Sequence, residues 1–142
     1  MAAPDFYFAI NATFRFIEER WGEEALNRYW EAMGRGYFAP LSARFRTGGL
    51  AAVEAYWRDF FAEEPGGEVD VRREGGRVAI RVRRCPAIHH LRTHGREILP
   101  RYCQHCRVVS GVIAENAGLS FAMEGGDGAC EQWWMEEGEG KR

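Results

Sequence analysis

Between Val69 and Val82 the hydrophobic pattern runs with a period of two, and no other stretch restricts the fold as tightly. Val69 and Val71 alternate with Asp70 and Arg72, while Val78, Ile80 and Val82 alternate with Ala79, Arg81 and Arg83, and Gly75-Gly76 separates the two runs. Two such runs joined by a glycine pair predict an antiparallel hairpin with one buried face. With Gly75 and Gly76 as the loop, Val71 falls opposite Ile80, Val69 opposite Val82, and Asp70 opposite Arg81 on the wet face.

Everything before this hairpin has the helical period. Phe6, Ile10, Phe14, Ile17 and Trp21 recur at helical spacing over residues 5 to 21, and Gly22 stops that helix. A second helix from about Glu23 carries Leu26, Tyr29, Trp30 and Met33 on one side and ends at Gly34, making a helical hairpin. Residues 37 to 46 read as looser, with Pro40 as an early helical residue. Gly48-Gly49 then introduces a third helix with Leu50, Val53, Trp57, Phe60 and Phe61 inward, closed by Glu63-Glu64-Pro65-Gly66-Gly67.

After the hairpin, Pro86 removes a ladder donor and places Cys85 at a strand end. Residues 87 to 94 predict a short helix ended by Gly95, and Pro100 opens a longer one to about Ala117 with Gly118 as its stop. Leu119, Phe121 and Met123 alternate with Ser120 and Ala122, and a Gly125-Gly126-Asp127-Gly128 turn leads into a last strand from Ala129 to Met135. On that strand Trp134 shares a face with Cys130, and Trp133 points the other way. The expected architecture is therefore α+β, with N-terminal helices followed by an antiparallel sheet of about four strands and a long helix inserted between its hairpins. A single domain is expected over residues 1–135, with a charged, disordered tail over 136–142.

A chain of 142 residues, 46% hydrophobic and 28% charged, can bury a core without covalent staples. Its formal net charge of -2 comes without any dense basic cluster, which argues against nucleic acid and membrane surfaces as partners. The start, Met-Ala-Ala-Pro-Asp, has no basic region followed by an apolar one, and no run reaches membrane-spanning length. These features predict a cytoplasmic protein, in which persistent disulfides are disfavoured.

The chain's four cysteines, Cys85, Cys103, Cys106 and Cys130, then carry its chemistry. Cys103-x-x-Cys106 is the common two-ligand spacing for metals, and Cys85-Pro86 has the form of cluster-binding runs. If the end of the second strand, the start of the long helix and the last strand meet, four thiolates can hold a [4Fe-4S] cluster or zinc. The division into one, two and one ligands is unlike two compact zinc knuckles and favours the cluster. A helix N-terminus and the nearby Arg83, Arg84, Arg101 and Arg107 lead us to expect low thiol pKa values. The alternative is that Cys85 and Cys130 are small core residues and only the CxxC matters.

Other motifs weigh less. His90 and His94 stand four apart but lack a zinc-protease Glu, so a solvated helix face is the expectation. His105 lies between two candidate ligands, is expected to point away from their shared face, and is a candidate proton carrier. Asp127 reads as a turn residue that could also handle protons. The Gly125 to Gly128 run lacks the Lys of a phosphate loop.

The spacing of Arg84-Cys85-Pro86, a helix-front Cys, Gly118-Leu119 and Gly126-Asp127-x-x-Cys130 before an aromatic strand resembles the L-2-amino-thiazoline-4-carboxylate hydrolase family over roughly residues 84 to 134. The same final turn, Cys and aromatic strand is similar to vinyl-reductase-type small-molecule-binding domains. The first resemblance implies a hydrolase of carbon-nitrogen or carbon-sulfur bonds in a small molecule, or a relative with other chemistry. This chain carries a CxxC where the family pattern has a single Cys. On the hydrolase reading, the catalytic candidates are Cys103, His105 and Asp127. A third reading is a sensory module whose aromatic core holds a small ligand.

Overall fold

A computed structural model describes residues 3–137. Five helices and four strands appear in the order α1 (Phe6–Trp21), α2 (Glu23–Ala32), α3 (Ala39–Glu63), β1 (Glu68–Glu74), β2 (Arg77–Arg84), α4 (Pro86–Thr93), α5 (Gln104–Asn116), β3 (Leu119–Gly126) and β4 (Ala129–Glu136). The fold is α+β, as its periodicities require. The four strands form one antiparallel sheet in the order β1-β2-β4-β3.

The first hairpin has the expected register: Val71 pairs with Ile80, Val69 with Val82 and Asp70 with Arg81. An irregularity between Glu68 and Val69 adds one residue to the β2 side. Below the sheet, Val71, Val78, Ile80, Val82 and Trp134 join a core with Phe14, Leu26, Trp30, Phe45, Val53 and Ile113. Trp134 is fully enclosed, with Phe45, Trp57 and Phe121 ring centroids 5.4, 6.1 and 5.1 Å away. Its neighbour Trp133 lies on the other face, as the strand period demands.

Two expectations for the helical half are corrected. The stretch expected to be loose is helical, because Pro40 sits in the first turn of α3, where a missing N–H costs nothing, and Leu41 and Phe45 bury one turn apart. Gly49 opens the second of two helical arms, as expected: its φ of 65° and ψ of -154° make a corner between the arm from Ala39 and the one that buries Leu50 and Val53. Between α2 and α3 the chain makes a wide π turn over Met33–Tyr37, so the second helix does not stop at Gly34. Gly34 is needed there for another reason, since a Cβ would stand 2.8 Å from Val112 Cβ on α5.

On α1 the buried face is set by Asn11 and Phe14, with Tyr7, Ile10 and Ile17 partly covered, whereas Phe6 and Trp21 are exposed. At the far terminus Glu136 is the last strand residue, not tail, and residues 138–142 lie outside the described part. Among the described residues no helix is long and apolar enough to cross a membrane.

The wet face of the first hairpin is an ionic lattice. Arg81 reaches Glu74 at 2.6 Å and Glu131 at 3.2 Å, and Arg83 reaches Asp70 at 2.9 Å. The hydrogen bond from Arg83 holds the Asp70 carboxyl below its ordinary range, and the bond from Arg81 does the same for Glu74. Groups depressed in the folded state stabilise it above their unfolded pKa and lose that contribution as pH falls through the folded value. Thermal melts between pH 6 and pH 2 are therefore expected to fall in the carboxylate range. Melts of Asp70→Asn combined with Glu74→Gln are expected to fall less steeply; an identical slope in that variant would assign the acid dependence to other groups.

Candidate functional site

The register of the two central strands builds the site. β2 pairs with β4 so that Val82 lies opposite Cys130, and antiparallel continuation carries the end of β2 towards the β3–β4 turn. There the Cys85 amide donates to the Gly128 carbonyl at 2.8 Å. Cys85 is at once the residue after β2 and the N-cap of α4. Cys130, paired across β3 with Gly125, belongs to the same end of the sheet.

Cys103 arrives from the other direction. It is the N-cap of α5, and Cys106 lies in that helix's first turn, so the helix begins later than Pro100 and residues 100–103 form a turn. The Asp127 amide donates to Cys103 Sγ at 3.2 Å, docking the helix start on the β3–β4 turn. The turn itself depends on Gly125: at φ +92° a Cβ there would stand 2.7 Å from the Ala129 carbonyl, whereas one on Gly126 would meet Cys103 Cβ at an ordinary 3.6 Å.

The four sulfurs are thus drawn from three parts of the chain to one end of the sheet. All are free and partly buried, and each lies within electrostatic range of the other three. They are neighbours rather than a closed cage: among the described residues no three His, Cys, Asp or Glu side chains are gathered as for a metal ion.

The expectation of low thiol pKa values is corrected. Burial pushes Cys85 and Cys106 up to about 11 and Cys130 to about 12, and it raises Cys103 as well. Backbone amides oppose this at two sulfurs, those of Ile88 and Ala87 at Cys85 and those of Asp127 and Gly128 at Cys103, without reversing it. At Cys85 these amides act without a cap hydrogen bond of regular geometry. The arginines invoked from sequence are engaged elsewhere. Arg83 binds Asp70, Arg84 binds Glu68 and the Gly66 carbonyl, Arg101 binds Glu18, and Arg107 donates to the Met123 carbonyl.

His105 is directed differently from the expectation. Its ring packs against Phe14, Trp30 and Tyr102, and its Nδ1 stands 2.5 Å from the Tyr102 carbonyl oxygen. A carbonyl only accepts, so Nδ1 carries the hydrogen and Nε2 is bare in the neutral ring. Burial lowers the His105 pKa and favours that neutral form. Nε2 stands 3.7 Å from Cys106 Sγ, so the histidine is partnered with Cys106, not with Cys103. Asp127 takes the left-handed turn position at φ 56°, and its exposed carboxylate binds Arg92 at 2.5 Å, consistent with a turn role. His94 is exposed, as a solvated helix face requires, whereas His90 is partly covered: its ring stacks on Phe8 of α1 and its Nε2 lies 3.0 Å from Asp5 Oδ1.

Sequence reasoning missed the supports of the site. Asn11, buried on α1, donates Nδ2 to the Glu97 carbonyl at 2.8 Å and accepts from the Leu99 amide at 3.0 Å, clamping the segment that leads to Cys103. One turn earlier, the Tyr7 hydroxyl donates to Glu64, with Cys85 close enough to raise its pKa further after burial and the Glu64 contact. The buried Tyr102 phenol lies in electrostatic range of Cys106, Cys85 and Cys103. The available signal was an Asn four residues after Tyr7 on the apolar stripe of a helix, a position that a polar side chain occupies only when it has partners.

Comparison with family models, with curated proteins and with solved structures finds no match to this chain.

Replacing Asn11 by Leu leaves two backbone groups of the 97–99 segment without partners, at about 1–3 kcal/mol each when they stay buried. A drop in stability of about 2 kcal/mol in urea unfolding is expected, together with faster amide exchange at Leu99. Unchanged exchange at Leu99 would show that the segment is held without the clamp.

Proposed function

We propose that this chain is a cytoplasmic metal-binding domain holding a [4Fe-4S] cluster on Cys85, Cys103, Cys106 and Cys130, as a member of the thiazoline-carboxylate hydrolase-like family. The observation that carries the reading is that four free thiols, from a strand end, a helix start and a strand start, are brought to the β3–β4 turn at one end of the sheet. As thiolates they would be four negative charges in a partly buried space, an arrangement that only bound positive charge makes stable. An all-sulfur donor set is soft and selects iron-sulfur clusters or zinc.

Cys85, Cys103, Cys106 and Cys130 would hold such a cluster through their thiolates, the donor type these clusters use. The division of ligands into one, two and one favours it. A bound cluster supplies one-electron chemistry at a potential set by burial and by hydrogen bonds to the sulfurs. The residues placed to set that potential are the Asp127 amide at Cys103 and the Gln132 amide group, 3.5 Å from Cys130 Sγ.

Anaerobically purified protein is expected to be brown and to contain iron and acid-labile sulfide, with zinc as the alternative occupant. Cys103→Ser and Cys130→Ser are each expected to lose the bound metal. Unchanged metal content in either variant rejects ligation by four cysteines.

One observation favours a second reading, a cysteine-dependent hydrolase of a small heterocyclic or amide-like substrate. The Cys106 thiol, the bare Nε2 of His105 3.7 Å away and the Tyr102 carbonyl that orients the ring are of the types a nucleophile, base and orienting group require. The base would take the thiol proton as the sulfur attacks the carbon and hand it to the nitrogen or sulfur that departs; water, deprotonated by the same base, would then displace the sulfur and restore the thiol. The two readings make opposite demands on Cys106, since a ligand sulfur is no nucleophile. On the hydrolase reading, Cys106→Ser abolishes turnover while the fold and any bound metal persist. Loss of metal in that variant supports the cluster.

A further inference from the structure

The cysteines of Cys103-x-x-Cys106 stand one helical turn apart. Cys103 caps α5 with φ -70° and ψ -13°, and Cys106 lies in the first turn. Residues three apart on a helix have Cα atoms about 5 Å from each other, inside the range of about 4.4–6.8 Å that a disulfide spans. No such spacing holds for Cys85 and Cys130. Cys130 faces Val82, so Cys85 lies three residues beyond that pairing, about 10 Å along the strand direction.

The two sulfurs of the helix differ in what reaches them. An open groove of about 470 Å³ runs between the start of α5 and the β3–β4 turn, lined by Cys103 and Gln104 on one side and by Gly126 and Asp127 on the other. Of the four cysteines, Cys103 alone lines it. Gly126 has no side chain to cover the sulfur; a Cβ there would stand 4.0 Å from Cys103 Sγ. Cys106 faces the interior, its Sγ 3.7 Å from Nε2 of His105, whose ring packs on Phe14, Trp30 and Tyr102. One thiol is therefore open to a small molecule, and the other, one turn along, has a proton acceptor beside it.

We propose that the metal-free chain is a dithiol that exchanges with small-molecule disulfides, with Cys103 as the entering thiol and Cys106 as the resolving one. The Cys103 sulfur, having lost its proton, attacks one sulfur of the disulfide; that S–S bond breaks, and its electron pair leaves with a thiolate that takes up the proton. The Asp127 amide, 3.2 Å from Cys103 Sγ, supports the anion that attacks. Cys106 then gives its proton to His105 Nε2 and attacks Cys103 Sγ. The second half of the disulfide leaves as a thiolate and receives that proton, so the protein pair is oxidised by two electrons and the small disulfide is reduced to two thiols. Burial keeps the Cys103 thiolate fraction small, so the order of the two cysteines, rather than speed, marks the exchange. The inference goes beyond the proposed cluster and does not need it, since it concerns the chain with no metal on these sulfurs.

The test uses the full chain after chelation of any bound metal, its fold checked by thermal melting, with bis(2-hydroxyethyl) disulfide as a neutral probe. Peptide mapping by mass spectrometry is expected to find an internal Cys103–Cys106 disulfide, with both halves of the probe released as 2-mercaptoethanol. Cys106→Ser should stop at the mixed disulfide, with roughly ten-fold more probe on Cys103 than on Cys85 or Cys130, and Cys103→Ser should consume the probe roughly ten-fold more slowly. Should either serine variant not fold, the mapping of the unaltered chain still decides the matter. An internal disulfide between any other pair, probe spread equally over the cysteines of Cys106→Ser, undiminished consumption by Cys103→Ser, no reaction of the folded chain, or loss of the folded state on chelation overturns the proposal.

Discussion

The pairing of β2 with β4 is the constraint on which the rest of this structure depends. These strands are separated in sequence by α4, α5 and β3, so their ladder is the long-range contact that turns two local hairpins into one sheet. Once Val82 lies opposite Cys130, the positions of Cys85 and of the β3–β4 turn are no longer independent. The Cys85 amide then finds the Gly128 carbonyl, and the turn presents its Asp127 amide to Cys103. A slip by one residue would put Trp134 on the wrong face and take Cys130 away from the other sulfurs.

The surroundings of the sulfurs are arranged so that charge on them has few local sources of relief. Guanidinium groups close in sequence are held by carboxylates and carbonyls, and the imidazole of His105 is kept neutral by its enclosure. Ordinary thiols in such a place stay protonated, and only a cation brought in from outside, or a proton acceptor such as His105 Nε2, changes that. This is why both readings of the site run through Cys106, and why they exclude each other there.

How far the sequence could be read depended on whether the determining interaction was local. The first hairpin was legible down to its residue pairs, because a two-residue turn and a buried face together fix the register. The opposite faces of Trp133 and Trp134 followed from the same period. The first arm of α3 was missed because only Leu41 and Phe45 mark its apolar side, and Arg44, Arg46 and Thr47 dilute the pattern. The order of elements allowed the cysteines to share one end of the sheet, but the β2–β4 register that places them there is not written in either strand alone. The thiol pKa values were misjudged for the same reason: they are raised by burial, which exists only in the assembled fold, and the arginines that might have opposed it are held by distant partners, Arg83 by Asp70, 13 residues away, and Arg101 by Glu18, 83 residues away.

The corner at Gly49 separates two tasks within one helix. Before it, the Ser42 hydroxyl donates to the Ile113 carbonyl and fixes one arm to α5; after it, Arg58 donates to the Val71 carbonyl and fixes the other arm to β1. In an unbroken helix, one inserted residue turns everything beyond it by about 100° and spoils one of the two faces. A corner decouples the rotational phase of the arms. Insertions or deletions at the Gly48-Gly49 joint should therefore be the length changes this helix absorbs best, and changes within either arm the ones it absorbs least.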